Sequence, residues 1–216
     1  AFSSDFIKLF GMHPDVEEVA VCDLLPERVA KSRKEHGIKR GFTSFDEMLK
    51  CKDLDSIAIF TQRHLHAEMV EKALDAGKNV YSAVPIACTV EDIGKIIDKV
   101  KSSHLVYMMG ETCYYYPCAI FCRQRYEKGD FGHFVYAESQ YYHDITEMYG
   151  DFSRSGGDAW RRVAGIPPMF YPTHSASMVL SAIHEHATKV SCFGLRDDFH
   201  TDNIYGDGKN EWDNPF

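Results

Sequence analysis

Between Asp55 and Pro85 the chain runs through an apolar stretch, Ile57-Ala-Ile-Phe60, and then a polar turn, Thr61-Gln-Arg-His-Leu-His66. An amphipathic segment to Ala76, a glycine at 77 and a second apolar stretch, Asn79-Val-Tyr-Ser82, follow directly. A short apolar run, a longer helical pattern, a glycine stop and another short run predict one β-α-β unit. A helical crossover returns its second strand parallel to the first, so this unit commits the chain to a parallel sheet.

The alternation extends on both sides. Phe2, Phe6, Ile7 and Phe10 form one stripe of an opening helix, and Glu18-Val-Ala-Val-Cys-Asp23 reads as a strand ending in an acid. A helix is predicted from Pro26 to His36, stopped by Gly37. Gly41 to Thr43 leads into a helix with Ser44 and Glu47 in capping-box spacing. Thr89 caps a longer helix carrying Ile93, Ile96, Ile97 and Val100, and Leu105 to Met109 is the last strand of the series. Such alternation predicts a parallel sheet with helices on both faces. Beyond Gly110 the pattern changes to a helix at 117–128, an aromatic strand at 133–142, a loop at 149–168, a helix at 174–183 and a strand at 189–193. The expected organisation is therefore α/β: a Rossmann-like domain over 1–110, then part of an α+β domain over 111–216.

The formal charge of −8 excludes the concentrated basic face of a nucleic-acid binder. No apolar run reaches the roughly 18 residues that a membrane span needs. The seven cysteines include no Cys-x-x-Cys pair and suit reduced thiols in a cytoplasmic protein.

The Thr61 and His66 turn, with Ala83-Val84-Pro85 at the end of the following strand, resembles the Gfo/Idh/MocA family of nicotinamide-dependent sugar and polyol oxidoreductases. In that family the turn usually reads Thr-Pro-x-x-x-His and the second strand ends in Glu-Lys-Pro, whose lysine helps move the substrate proton. Here Gln62 replaces the proline and Val84 replaces the lysine. The family aspartate four residues before the catalytic histidine is Phe170 in this chain. The resemblance also implies a first strand and a Gly-x-Gly-x-x-Gly turn, a motif found nowhere in these 216 residues, so a divergent chain truncated at both ends is expected.

The resemblance implies NAD as cofactor, with Asp23, Thr61, Gln62, His64, His66 and Pro85 along its binding edge. An acid at the position of Asp23 accepts hydrogen bonds from a ribose and repels a 2′-phosphate. His174, in Phe170-Tyr-Pro-Thr-His-Ser175, matches the start of the family's catalytic helix and is expected to transfer the proton, with Tyr115 assisting. Thr173 is expected to cap that helix, with Ala176, Val179, Leu180 and Ile183 as its core stripe and His174 facing away from it. Glu111, Tyr141, His143 and Asp144 suit a sugar pocket, because tyrosine rings match apolar C–H faces and carboxylates match hydroxyls. Glu111, His143, Asp144 and His174 also have the donor types of a divalent metal site, but no metal is assigned. The implied activity is NAD-dependent oxidoreduction of a sugar or cyclitol hydroxyl, in a homo-oligomer joined through the C-terminal sheet. The alternatives are a sugar-binding or regulatory protein without turnover, and a glycoside-cleaving enzyme that uses bound NAD.

Overall fold

A computed structural model describes residues 2–142 and 172–193. It opens with α1 (Phe2–Met12), β1 (Ala20–Cys22), α2 (Pro26–His36), β2 (Arg40–Phe42) and α3 (Phe45–Leu49). β3 (Ser56–Ile59), a 3₁₀ turn (Arg63–Leu65), α4 (His66–Asp75), β4 (Asn79–Ser82), α5 (Val90–Ser102) and β5 (Tyr107–Met109) follow. A second 3₁₀ turn (Thr112–Tyr115), α6 (Pro117–Glu127) and α7 (Thr173–Ile183) complete the described elements. Local signals set several boundaries. Pro26 opens α2, and Gly37 closes it at φ 67°, donating its N–H to the Arg33 carbonyl. The Ser44 and Thr89 side chains accept the N–H groups of Glu47 and Asp92 at the starts of α3 and α5.

The strands are parallel and form two sheets, β1-β2 and β3-β4-β5. In the second sheet Ile57, Ile59 and Val80 share a buried face with Val70, Ala73 and Leu74 of α4 and Ile96 of α5. Helices were expected on both faces. On the other face, however, Ala58 and Met108 are exposed, and cover comes from α1, whose Phe6 and Phe10 stack on Tyr81, with Phe6 also against Phe60. Ile7 of the same helix packs on the smaller core of Val21, Val29 and Ile38, so α1 ties the two sheets together.

One expectation needs correction. Gly41 to Thr43 was read as a lead-in, but Arg40–Phe42 pairs with β1 residue for residue. The predicted strands at 133–142 and 189–193 have no ladder among the described residues, and Val135, Tyr136, Val190 and Phe193 are at least 75% exposed. A strand is stable only where a neighbour takes its N–H and C=O groups. The open antiparallel sheet that the family resemblance implies after residue 110 falls largely on residues outside the described ones. No helix among them is long and apolar enough to cross a membrane.

Gly110 sits where β5 ends, and a Cβ there would run into the Tyr81 hydroxyl and the ring carbon bearing it. The ring has little room to give, being held by Phe6, Phe10 and Phe60. Gly110→Ala is therefore expected to cost about 1–3 kcal/mol, the usual range for overpacking. Urea unfolding that leaves the midpoint unchanged would show that Tyr81 is not held as described.

Candidate active site

In a parallel sheet every strand presents its carboxyl end to the same edge, which is where open α/β sheets bind ligands. Asp23 follows β1, Thr61 follows β3, Ala83-Val84-Pro85 follows β4 and Glu111 follows β5. One oxygen of Asp23 accepts the Leu25 N–H at 2.9 Å, and the other lies 3.7 Å from Arg28. The acid thus stands at the expected strand end while shaping its own turn.

The turn after β3 is organised from inside. His66 is fully buried, with Nδ1 2.7 Å from the Pro85 carbonyl and Nε2 3.2 Å from the Thr61 carbonyl. Burial lowers its pKa below the ordinary imidazole value despite these two carbonyls. A neutral ring donates from one nitrogen, and the shorter contact marks Nδ1. His66, expected along the cofactor edge, lies inside and braces the turn after β3 against the one after β4. The reason is its place as the first residue of α4, where the ring falls between the two strand ends. Pro85 likewise commits its carbonyl to this brace. Thr61 donates to the Met69 sulfur at 3.3 Å, and Gln62 precedes the 3₁₀ turn without a side-chain cap. Nδ1 of His64 is buried without a hydrogen-bond partner, and burial together with neighbouring His66 lowers the ring's pKa.

The chemistry concentrates after β5. Glu111 is 5% exposed, and its Oε1 accepts the Cys113 N–H at 2.9 Å and meets His174 Nδ1 at 2.6 Å. Burial opposes the carboxylate's charge, but the bonds from His174 and Cys113 prevail and hold its pKa below the usual range. The Thr173 hydroxyl is near enough to favour that charge, yet neither it nor Glu111 Oε2 completes a hydrogen bond. His174 is itself 5% exposed, and the Tyr141 ring packs against it with centroids 4.5 Å apart. Ser139 donates to the Ser175 carbonyl, fixing the segment that carries Tyr141.

Helix α7 corrects two expectations. Thr173 is its first residue rather than its cap, and Pro172 occupies the cap position without a side-chain bond. The expected core stripe is not the buried face: Ala176 and Leu180 are exposed and Val179 and Ile183 only half-buried, while His174 and Ser181 are buried. The helix packs on α6 and on the 3₁₀ turn at Thr112–Tyr115, and these neighbours choose the face carrying His174. Tyr115 stays 55% exposed, edge-on to Tyr114. It lines a cavity of about 160 Å³ with Phe6, Tyr81, Gly110 and Glu111. A larger open hollow of about 390 Å³ lies by His64 between α4 and α5, where Glu68–Lys72 and Asp92–Lys95 pair. It is remote from Glu111 in lining and offers no comparable chemistry. Val84 is buried and supplies no base. His143 and Asp144 lie outside the described residues. Sequence reasoning missed Cys113: fully buried, it offers a donor atom within 4.8 Å of those of Glu111 and His174. Its Glu111-x-Cys113 spacing was the available signal.

Residues 1–111 match the sequence model of the Gfo/Idh/MocA family, described as an oxidoreductase family with an NAD-binding Rossmann fold. The chain is 30% identical over 183 residues to glycosyl hydrolase family 109 protein 2 of Bacteroides fragilis strain YCH46, covering 79% of this chain and 43% of that protein. An α-N-acetylgalactosaminidase from another Bacteroides fragilis strain matches with the same identity and coverage. Among solved structures, myo-inositol 2-dehydrogenase of Lactobacillus plantarum superposes with a TM-score of 0.63 at 22% identity, over 73% of this chain and 47% of that one. Scyllo-inositol dehydrogenase of Lactobacillus casei, with NAD(H) and scyllo-inositol, gives 0.53 at 24% identity, over 59% and 38% of the two chains. The chain thus spans less than half the length of these relatives.

The buried imidazole yields a pH prediction. A ring whose folded pKa lies below its unfolded value of about 6.5 takes up protons on unfolding. Its contribution is therefore full above that pH and is lost as pH falls through it. Unfolding free energy is expected to drop below pH 6.5, and His66→Gln should be less stable at neutral pH by about 1–3 kcal/mol and flatter in this acid range. An unaltered pH slope in His66→Gln would remove the brace from this account.

Proposed function

Because the chain belongs to the Gfo/Idh/MocA oxidoreductases, with their NAD-binding Rossmann fold, we propose that it carries the cofactor edge and proton-transfer group for NAD-dependent oxidoreduction of a sugar or cyclitol hydroxyl. The observation that carries this reading is the buried Glu111–His174 contact at 2.6 Å beside the sheet's carboxyl edge. The residues fit the cofactor in part. Asp23 suits the adenosine ribose, and the turn at Thr61 suits the edge. The glycine-rich backbone donors of a pyrophosphate do not occur in these residues.

NAD, when bound, supplies the hydride acceptor. The protein's own part is the proton. Nδ1 of His174 is committed to Glu111, so the proton exchanged with a substrate hydroxyl is carried at Nε2. Glu111 orients the ring and balances the charge that forms on it, replacing the missing lysine at position 84 by a different route. Tyr141 lies against the imidazole and supplies a flat wall for a sugar, and Tyr115 stands at the rim. Residues 1–110 are read as the dinucleotide-binding domain and 111–216 as the substrate domain, with His143 and Asp144 completing the sugar pocket. Cys22, Cys51, Cys88, Cys113, Cys118 and Cys122 carry no disulfide, which supports a cytoplasmic location. The exposed aromatics between Phe131 and Tyr142 suit a homo-oligomeric contact.

A second reading has its own support, since the curated relatives include glycosyl hydrolase family 109 proteins and an α-N-acetylgalactosaminidase. In that reading oxidation is transient and NAD is regenerated within each cycle.

The test joins a strand and a Gly-x-Gly-x-x-Gly turn to the N-terminus and offers NAD with cyclitols, sugars and a nitrophenyl N-acetylgalactosaminide. Accumulating NADH marks the dehydrogenase, and nitrophenol release without it marks the glycosidase. His174→Ala is expected to lower either turnover by about 10²- to 10⁴-fold with NAD affinity nearly unchanged. An unchanged rate would overturn the role of His174, and no turnover of any substrate would favour a binding protein. In the same protein NAD should bind better than NADP, with the gap narrowed by Asp23→Ala. Equal affinities before mutation would place Asp23 away from the ribose.

A further inference from the structure

We propose that Glu111, Cys113 and His174 form a site for one thiophilic divalent cation of the zinc class. The three residues are 5%, 0% and 5% exposed, and their donor atoms lie within 4.8 Å of one another. A carboxylate oxygen, a thiolate sulfur and an imidazole nitrogen are the donor types of zinc centres with three protein ligands and one open position. Calcium and magnesium require six or more oxygens, and neither a thiol nor an imidazole serves them well. A thiolate and a carboxylate together neutralise the charge of a divalent ion, which favours its entry into a buried site.

Two further observations point to a ligand. Glu111 Oε2 is buried without a hydrogen-bond partner although Oε1 has two, and a carboxylate oxygen left in that condition is costly. The spacing is also close to that of ligands. Two nitrogen or oxygen ligands about 2.0 Å from a tetrahedral zinc stand roughly 3.3 Å apart. Glu111 Oε1 and His174 Nδ1 are 2.6 Å apart, so a cation replacing the shared proton needs only a small widening. The 160 Å³ cavity that reaches Glu111 offers a way in.

Binding of the cation does not depend on the redox reading. One consequence does: a cation on Nδ1 of His174 would take the place of the Glu111 hydrogen bond and draw electron density from the ring, so that Nε2 could no longer exchange a proton and zinc would inhibit turnover. The deciding experiment needs no turnover. The full 216-residue chain, kept reduced with a phosphine, is titrated with Co²⁺. One equivalent is expected to give the strong visible bands of a tetrahedral centre and a near-ultraviolet thiolate-to-cobalt band, both displaced by Zn²⁺. Cys113→Ser should abolish the charge-transfer band. Cys118→Ser, an exposed position on α6, should keep it. Glu111→Gln should keep the band but weaken binding by at least the roughly 10- to 100-fold that even an outer-shell loss costs. No cobalt band, or a band that survives Cys113→Ser, overturns the proposal. If Cys113→Ser loses its far-ultraviolet circular dichroism, X-ray absorption of zinc on the unmutated chain decides instead. One sulfur with nitrogen and oxygen neighbours supports the site, and a shell with no sulfur or with two or more overturns it.

Discussion

The hydrogen bond between Glu111 and His174 joins parts of the chain 63 residues apart and attaches α7 to the end of the β3-β4-β5 sheet. It is more than an anchor. Removing either partner would leave the other buried without its bond, a cost of about 1–3 kcal/mol, so packing and chemistry constrain the same two residues. The carboxylate stays ionised because its two donors outweigh burial. The imidazole is held in one orientation between that carboxylate and the Tyr141 ring. The pair stands at the same edge of the sheet as Val84, which is buried and carries no basic group.

The rim is built on a second histidine with a different task. His66 donates its Nδ1–H to the Pro85 carbonyl and holds Nε2 3.2 Å from the Thr61 carbonyl, and so sets how the two strand-end turns stand relative to one another. The sheet itself is served unequally. Its buried face is filled by α4 and α5, whereas the opposite face depends on the aromatic group of Phe6, Phe10, Phe60 and Tyr81. That group also explains the glycine at 110, since any side chain there would displace Tyr81 from its three neighbours.

What the sequence alone determined is local in origin. The β-α-β unit at 55–85 was legible because helical and strand periodicities differ and Gly77 separates them, and the caps at Ser44 and Thr89 were legible because each bond spans three residues. The positions of Asp23, Thr61 and Glu111 at strand ends follow from the same alternation. Tertiary structure decided the rest. β2 exists only because β1 pairs with it. The buried face of α7 was chosen by α6 and the turn at 112–115, which outweighed the apolar stripe of the helix. His66 turned inward because two carbonyls converge on it, and Glu111, Cys113 and His174 meet only when distant segments pack. Periodicity reports how a segment meets water; it carries no record of which distant group will replace that water.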